Sequence, residues 1–307
     1  MSQNNDYSPL FYFPKQAGAQ IYASDNIYLR KDSLVIFTCG ANDKSYKSRR
    51  EQFLEYAAKY FKYGAFFRAE DAFPALKQGG DDLLTIENQL ADYSDCVLII
   101  NESPGTLAEL GAFASNDLIV QKLLVVNSKE YYGQTSFISL GPLAKIDKKS
   151  RFKQTMHVDF SSISVHFDHI IGRIEENIVR KRRQRVDLSD LSRLKSVEGG
   201  NKLMLLLLQD IINLYSPVTE DELLLVLKEM PHGGYIKYGI ELSLLQATGM
   251  VKLLGRYLIS SKECAKHNYD INIQEWLGLR KKIINYYARY DYKRLELLFE
   301  RALETGG

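Results

Sequence analysis

The 307-residue sequence has only three cysteines, and its basic and acidic residues almost cancel. Cys39, Cys96 and Cys264 are far apart and show no Cys-x-x-Cys spacing, so neither a disulfide framework nor a zinc site is expected. Forty basic and 38 acidic residues give a net charge of +2. No overall electrostatic field therefore indicates a nucleic-acid-binding protein.

Long apolar runs are also lacking. The longest, residues 203–208, is far too short to span a bilayer. The first residues, MSQNNDYSPLF, do not join a basic segment to an apolar one as a signal peptide does, so a cytoplasmic protein is expected. The composition, with 45% hydrophobic and 25% charged residues, is typical of a globular chain. The length predicts two domains.

Short apolar runs alternate with helical patterns in the first half of the chain. The predicted strands are residues 34–38, 65–67, 96–100, 123–126 and 157–160. The predicted helices are residues 45–62, 81–93 and 104–114. Strands that are apolar throughout, separated by helices, indicate a parallel sheet covered on both faces. We therefore expect an α/β domain with a doubly wound parallel sheet over residues 1–160.

Helical patterns take over in the second half. An apolar stripe and a basic run predict a helical linker over residues 161–200. Beyond it, the predicted helices are 202–215, 220–230, 238–248, 273–289 and 292–304, with a hairpin at 250–260. Thr219 and Glu222 have the spacing of a capping box. Three helices followed by a hairpin are typical of a winged helix-turn-helix, so a mainly helical winged-helix-like domain is expected over residues 201–307.

A basic run near residue 180 is the candidate contact with nucleic acid or with a partner. Its members are Arg180, Lys181, Arg182, Arg183 and Arg185. Such a run is most often a solvated helix end, and phosphate binding is the alternative. Only Lys237 and Lys252 flank the third helix of the expected winged helix, fewer cations than tight duplex binding usually uses. Whether this domain contacts nucleic acid or protein stays open.

The segment DCVLIINESPGTLAELGAF, residues 95–113, carries the clearest chemistry. After a buried strand, Ser103 and Gly105 begin a helix whose free N–H groups and dipole attract an anion or a sugar oxygen. Thr106 adds a hydroxyl. Glu109 follows about one turn later, where the dipole is expected to lower its pKa and keep it ionised.

Glu109 has two interpretations from the residues alone. On an isolated helix, a solvated surface glutamate is the usual case. Glu109, however, comes just past the end of a central strand, where doubly wound sheets bind their ligands. An ionised carboxylate beside an anion-binding helix start is suited to attack at a sugar C1′. Glu109 is therefore the candidate catalytic residue.

The stretch GTLAELGAF, residues 105–113, resembles the motif G-T-x-x-E-x-G-x-A of the nucleoside 2-deoxyribosyltransferases. The resemblance implies that Glu109 is the nucleophile and that Cys39 and Gly40 lie on the sugar–base pocket. It also implies a residue that positions or protonates the base, for which Glu87 and Asn88 are the candidates. Asn88 stands where the transferases carry Asp, which argues against efficient base exchange.

A closer resemblance is to the deoxyribosyltransferase-like effectors of bacterial retrons, which join such an α/β domain to a winged-helix-like domain. The matching pieces, within residues 34–142, are Cys39-Gly40, Arg49-Arg50, EDAF at 70–73, LLTIENQLADYSD at 83–95, ESPGTLAELGAF at 102–113 and SFISLGP at 136–142. The resemblance implies an anti-phage toxin held inactive by a reverse transcriptase and its multicopy single-stranded DNA–RNA hybrid (msDNA). It also implies a homo-oligomer in which residues 136–142 reach a neighbour's pocket.

The resemblance further implies N-glycosidase activity, and NAD+ is the substrate we expect, with no separate cofactor. Nicotinamide leaves as a neutral base from a cationic nitrogen and needs no general acid, whereas a purine or pyrimidine does. Glu109 would attack C1′ or stabilise an oxocarbenium-like transition state. The expected binding residues are Ser103, Gly105 and Thr106 at a phosphate or sugar, and Asp71 or Glu87 at the ribose hydroxyls.

Two other functions remain as alternatives. A nucleotide-sensing transcription regulator would bind duplex DNA in a salt-dependent way and turn nothing over. A deoxyribosyltransferase of base salvage would exchange bases between deoxynucleosides, and it would need only the first domain. A metal site is not expected, because His166 and His169 share a helix face without a third ligand.

Overall fold

A computed structural model describes residues 13–42, 47–76, 82–179, 184–194, 200–233, 238–261 and 267–305. The strands are β1 (Ile27–Leu29), β2 (Leu34–Cys39), β3 (Gly64–Phe67), β4 (Cys96–Ile100), β5 (Leu123–Ser128), β6 (Met156–Val158), β7 (Gln184–Val186), β8 (Val251–Leu254) and β9 (Tyr257–Ser260). The helices are α1 (Lys15–Tyr22), α2 (Arg49–Tyr60), α3 (Ala69–Leu76), α4 (Leu83–Asp92), α5 (Pro104–Ser115), α6 (Ala144–Lys149), α7 (Phe167–Ile174), α8 (Leu191–Leu194), α9 (Gly200–Tyr215), α10 (Glu220–Glu229), α11 (Gly239–Ala247), α12 (Ile273–Tyr290) and α13 (Tyr292–Thr305). Among these residues no helix is both long and apolar enough to cross a membrane.

Five strands form one parallel sheet in the order β3-β2-β4-β5-β6. Ile36 of β2 lies opposite Cys96 of β4, and Val97 of β4 lies opposite Leu123 of β5. The strands β2, β4 and β5 are buried along their whole length, as their continuous apolar sequences predicted. The predicted α/β class with a parallel sheet is confirmed.

The order of the strands reverses between β2 and β4. From β2 the chain first moves outward to β3, then crosses back over β2 to form β4 on its other side. The loops that follow β2 and β4 therefore lead away in opposite directions and leave a crevice at the carboxyl edge of the sheet. This crevice is where the residues of the candidate site meet.

Helices cover both faces of the sheet. On one face, Ile36 and Leu98 belong to an apolar core with Phe53 of α2 and Phe167 of α7, whose ring centroids lie 5.5 Å apart. On the other face, the Phe37 ring meets Phe113 of α5 edge-on, with 6.0 Å between centroids. Burial of these rings fixes α2 and α5 against β2, the strand that leads into the crevice.

The boundaries of the compact units differ from the expected ones. One unit is Lys31–Arg183, and the other joins Met1–Arg30 to Gln184–Gly307. β1 pairs antiparallel with β7, so the start of the chain belongs with the helical unit and not with the sheet. The residues expected to form a linker include α7, whose Ile170 and Ile174 are fully buried in the core beside the sheet. Burying this apolar stripe makes the segment part of the α/β unit.

The helical unit contains the predicted helices α9 to α13 and the β8–β9 hairpin. The capping box is present: the Thr219 hydroxyl accepts from the Glu222 N–H, and the Glu222 carboxylate accepts from the Thr219 N–H. Glu222 also forms a buried ion pair with Arg294 of α13, at 2.8 Å for each of two N–O contacts. This pair ties the start of α10 to the last helix.

Candidate active site

A cavity of about 220 Å³ opens at the reversal of strand order, between the ends of β2 and β4. It brings together many of the residues predicted from the sequence, namely Cys39, Gly40, Glu87, Ser103, Gly105, Thr106 and Glu109. These residues come from β2, the loop after it, α4 and the first two turns of α5. The parallel sheet alone explains their meeting, because the carboxyl ends of its strands share one edge.

The start of α5 places Glu109 in the cavity. Ser103 is the N-cap, and its hydroxyl accepts from the Thr106 N–H at 3.2 Å. Pro104 takes the first helical position, where its missing N–H costs nothing. Thr106 is buried, and its hydroxyl hydrogen-bonds to that of Ser103 at 2.7 Å. The Thr106 N–H and both hydroxyls therefore shape the helix start, and their expected contact with a substrate phosphate or sugar stays a prediction.

The expected low pKa of Glu109 is wrong. Glu109 lies beyond the first turn of α5, out of reach of most of the helix-dipole effect. Burial raises its pKa to about 7, with a further increase from the nearby Glu87 carboxylate, against a smaller lowering by Arg50. One carboxyl oxygen, Oε2, is buried and has no hydrogen-bond partner among the described residues.

Glu87 is a second carboxyl with an unusual environment. It lies on α4, which begins at the N-cap Asp82, and it faces the same cavity as Glu109. Burial raises its pKa to about 7, and the neighbouring Glu70 carboxylate adds to the increase. The two cavity carboxyls thus titrate in the neutral range, where one can be protonated while the other is ionised.

Arg50 forms one wall of the cavity and was missed as a site residue from the sequence. Its guanidinium is almost fully buried and donates from both Nη atoms to the Glu70 carboxylate. Gly40 packs against it so closely that a Cβ at position 40 would lie 2.5 Å from the Arg50 Cβ. An arginine in the first turn of a helix opposes the dipole, a signal that could have pointed to a special role.

Glu102 organises the loop that leads into the cavity. Its buried carboxylate accepts from the N–H groups of Ala41 at 3.1 Å, Arg49 at 2.9 Å and Arg50 at 3.1 Å. These bonds join the end of β4 to the start of α2. The free N–H groups at a helix start explain the choice of an acidic partner. Glu102 is therefore a positioning residue for Arg50.

Cys39 is a buried thiol at the end of β2. Burial raises its pKa well above the usual value, and the nearby Glu109 carboxylate raises it further. A thiol that stays protonated is a poor nucleophile. Cys39 acts instead as a hydrogen-bond partner of Glu109, and this contact lowers the pKa of Glu109 slightly.

Three buried polar atoms at the cavity have no hydrogen-bond partner among the described residues. They are Thr38 Oγ1, Arg50 Nε and Glu109 Oε2. Buried polar groups in native proteins are nearly always paired, and an unpaired one costs about 1–3 kcal/mol. Three such atoms around one cavity are best explained by a ligand that carries both donors and acceptors, as a sugar does.

Two predicted residues do not reach this cavity. The Asp71 carboxylate, in the first turn of α3, accepts from Arg68 Nε at 2.8 Å and from a second nitrogen of the same guanidinium at 2.5 Å. The Asn88 side chain donates to the Leu84 carbonyl at 2.8 Å along α4. The neighbours Glu70 and Glu87 occupy the lining positions instead.

A wider cavity of about 790 Å³ lies on the other side of the α5 start. Ser103 lines both cavities, and Asn101, Asn127 and Lys129 line only the wider one. It was not predicted, because about a third of its lining residues come from the segment between β5 and α6. No local pattern in that segment signals a pocket.

Most of the predicted basic contact lies outside the described residues, namely Arg180, Lys181, Arg182 and Arg183, together with Lys237. Arg185 is on β7 and is exposed, with one guanidinium nitrogen 3.3 Å from the Asp25 carbonyl oxygen. Lys252 is exposed on β8.

The fold and the site together define an α/β protein with a carboxylate-lined cavity at the switch in strand order. The chain belongs to the STM3845 retron effector protein family, whose model matches residues 46–253. The matched range includes the wider cavity, helices α9 to α11 and the part of the smaller cavity that α2 to α5 contribute. The lining residues from β2 and the loop after it precede the matched range.

Two curated relatives from Escherichia coli are similar over part of their length. The chain is 36% identical over 122 residues to the protein named "Retron Ec86 putative ribosyltransferase/DNA-binding protein", covering 38% of this chain and 39% of the relative. It is 34% identical over 122 residues to the "Retron Ec73 putative ribosyltransferase/DNA-binding protein", with the same coverage. The matched region is thus about two fifths of either relative.

Proposed function

We propose that this retron effector is an N-glycosidase that cleaves the bond between C1′ of a nucleotide sugar and its base. The observation that carries the proposal is Glu109, a half-buried carboxylate in a cavity at the strand-order switch, whose buried Oε2 has no hydrogen-bond partner among the described residues. Both relatives are named putative ribosyltransferases, and ribosyl transfer is a reaction at the same sugar carbon, which supports the assignment.

NAD+ is the proposed substrate. Ionised Glu109 forms a bond to C1′ while the bond from C1′ to the nicotinamide nitrogen breaks. The bonding electrons pass to that nitrogen and cancel its positive charge, so no proton is needed by the leaving group. Water then attacks C1′, loses a proton to the solvent, and releases ADP-ribose and ionised Glu109.

Glu87 has two roles that depend on its protonation. Ionised, it accepts a hydrogen bond from a ribose hydroxyl in the cavity. Protonated, which its pKa of about 7 allows near neutral pH, it donates a proton to a base that leaves less readily than nicotinamide. The same site is therefore compatible with other nucleotides, with the transferase activity of base salvage as the related alternative.

The proposed role in the cell is that of an anti-phage toxin in the cytoplasm, held inactive by a reverse transcriptase and its msDNA. The helices α9 to α11 and the β8–β9 hairpin would form a winged-helix-like module for that partner. The exposed cations Arg185 and Lys252 are available for phosphates. The DNA-binding function in the names of both relatives supports this part of the proposal.

The segment between β5 and α6 supports the proposed homo-oligomer. Tyr132, Phe137 and Leu140 expose 74%, 85% and 69% of their surface, which is unusual for large apolar side chains so close together. Burial against a second copy would remove this surface from water. The double change Phe137→Ser and Leu140→Ser should lower the mass found by light scattering, and an unchanged mass would argue against this interface.

The proposed activity is tested by a nucleotide profile of cells that briefly express the chain without its partners, compared with Glu109→Gln. Loss of NAD+ and release of nicotinamide by the wild type alone would support both the substrate and the nucleophile. If the wild type alone depleted a different nucleotide, the glycosidase assignment would stand and that nucleotide would be the substrate. Identical profiles at equal expression would contradict the proposal and favour a nucleotide-sensing regulator.

A further inference from the structure

We propose that the cavity of about 790 Å³ beside Glu109 binds the second nucleotide of a dinucleotide substrate. This inference rests on the proposed function, because it takes C1′ of the scissile ribose to lie in the smaller cavity. The smaller cavity, about 220 Å³, is below the usual range of about 300–1,000 Å³ for ligand sites. It has room for part of a nucleotide, and the wider cavity falls within the range.

Two buried amides form the polar floor of the wider cavity. Asn101, at the end of β4, is 7% exposed, and Asn127 in β5 is 2% exposed. Asn101 Nδ2 donates to Asn127 Oδ1 at 3.0 Å, and Asn101 Oδ1 has no partner among the described residues. An unpaired acceptor at this depth calls for a ligand donor, such as a ribose hydroxyl or the exocyclic amine of a base.

The rim of the same cavity combines cations with an aromatic ring. The Arg49 guanidinium lies over the Phe160 ring at 4.8 Å from its centroid and is partly neutralised by Glu102. Lys129 is 59% exposed and pairs with Asp159 at 2.6 Å. A substrate phosphate would compete with Glu102 and Asp159 for these two cations. Leu107 and Tyr131 add apolar wall for a base.

Ser103 lies between the two cavities, since it lines both at the start of α5. A substrate with its scissile ribose near Glu109 would pass its 5′ phosphates over the helix start, where the helix dipole favours anions although the Thr106 N–H already bonds to the Ser103 hydroxyl. Its second nucleoside would then reach Asn101. A mononucleotide would fill only the smaller cavity and the passage beside Ser103.

The direct test is calorimetric binding of ADP to the full chain, which needs no turnover. Asn101→Leu should weaken ADP binding about tenfold, because it removes a buried acceptor. Lys129→Met should weaken it about threefold, as expected for one exposed charge. Lys145→Met is the matched control, since Lys145 pairs with Asp117 away from the cavity, and it should bind ADP like the wild type.

If Asn101→Leu fails to fold, Lys129→Met still tests the cavity, because Lys129 is exposed and its replacement leaves the core intact. Absent ADP binding by the wild type would overturn the inference. So would equal binding by the wild type, Asn101→Leu and Lys129→Met. The chain could bind ADP in the expected order, with the wild type tightest and Asn101→Leu weakest, and yet never cleave NAD+. That result would support the assignment of this cavity and refute the proposed activity.

Kinetics provide the second readout in an active chain. NAD+ and nicotinamide mononucleotide share the scissile bond and differ by the second nucleotide. Asn101→Leu should raise KM for NAD+ about tenfold with little change in kcat, and should leave the mononucleotide unaffected. An equal loss on both substrates would overturn the inference while the glycosidase assignment stands.

Discussion

At the scale of single residues, burial decides the chemistry of Glu109. The motif around Glu109 made it the candidate, and the family resemblance added Cys39, Gly40 and Glu87, all of which line the cavity. The sign of its pKa shift could not be predicted, because it depends first on burial in the folded cavity and then on carboxyls contributed by α4 and α3. Arg50 was missed for the same reason: its partner Glu70 is 20 residues away and meets it only in the fold.

The first prediction concerns the pH dependence of the proposed NAD+ cleavage. Activity needs ionised Glu109, so kcat/KM should rise with pH up to about 7. Glu87→Gln removes a negative charge that raises the pKa of Glu109, and it should shift this rising limb to lower pH. The matched control Glu55→Gln changes an exposed carboxyl on α2 that pairs with Lys47, and its profile should match the wild type. If the rise of kcat/KM with pH occurred at the same pH in Glu87→Gln as in the wild type, this would contradict an effect of the Glu87 carboxylate on the pKa of Glu109.

The same pKa shift predicts the sign of a stability change. The pKa of Glu109 is about 7 in the fold against a usual 4.5, so folding favours its protonated form. That contribution is fully present below about pH 4.5 and is lost as pH rises through about 7. Glu109→Gln, which cannot ionise, should therefore raise Tm at pH 8 relative to the wild type. A lower Tm at pH 8 would show that the carboxylate is stabilised in the free protein.

At the scale of elements, continuous apolar strands were predictable from the sequence, and elements of three or four residues were not. The pattern at β2, β4 and β5 depends on burial on both faces, which the sequence records directly. β1, β7 and α8 have three or four residues each, too few for a period to be visible. The pairing of β1 with β7 joins segments more than 150 residues apart and follows from tertiary contacts alone.

The loop between β2 and α2 provides a prediction at this scale. Gly40→Ala would place a Cβ 2.5 Å from the Arg50 Cβ, so α2 must shift and the Arg50–Glu70 pair with it. We expect a stability loss of about 1–3 kcal/mol and lower activity. Gly111→Ala is the matched control, because its Cβ on α5 meets nothing within 4 Å, and it should be neutral or slightly stabilising. Equal thermal unfolding and activity of the two variants would contradict this packing.

At the scale of the whole molecule, the chain has two compact units, and the family match extends over parts of both. The near-neutral net charge predicted no general affinity for nucleic acid. The composition predicted two domains but not that the start of the chain would join the second one. That division depends on which apolar surfaces meet, and no composition records it.

The helical unit should depend strongly on its buried ion pair. Glu222→Ala leaves the Arg294 guanidinium buried and unpaired and also removes half of the capping box, so we expect a loss of about 3–5 kcal/mol. Thr219→Ala removes the cap alone and should cost about 1 kcal/mol. Urea unfolding followed by the fluorescence of Trp276, the sole tryptophan and a residue of α12, reports on this unit. Similar losses for the two variants would mean that the ion pair adds little.

The most direct test of the central claim is release of nicotinamide from NAD+ by the purified chain, measured by chromatography for the wild type, Glu109→Gln and Glu55→Gln. We predict nicotinamide and ADP-ribose in equal amounts from the wild type and from Glu55→Gln, and a rate at least about 1,000-fold lower from Glu109→Gln. A Glu109→Gln protein that keeps its activity within a few fold of the wild type would contradict the assignment of Glu109 as the nucleophile.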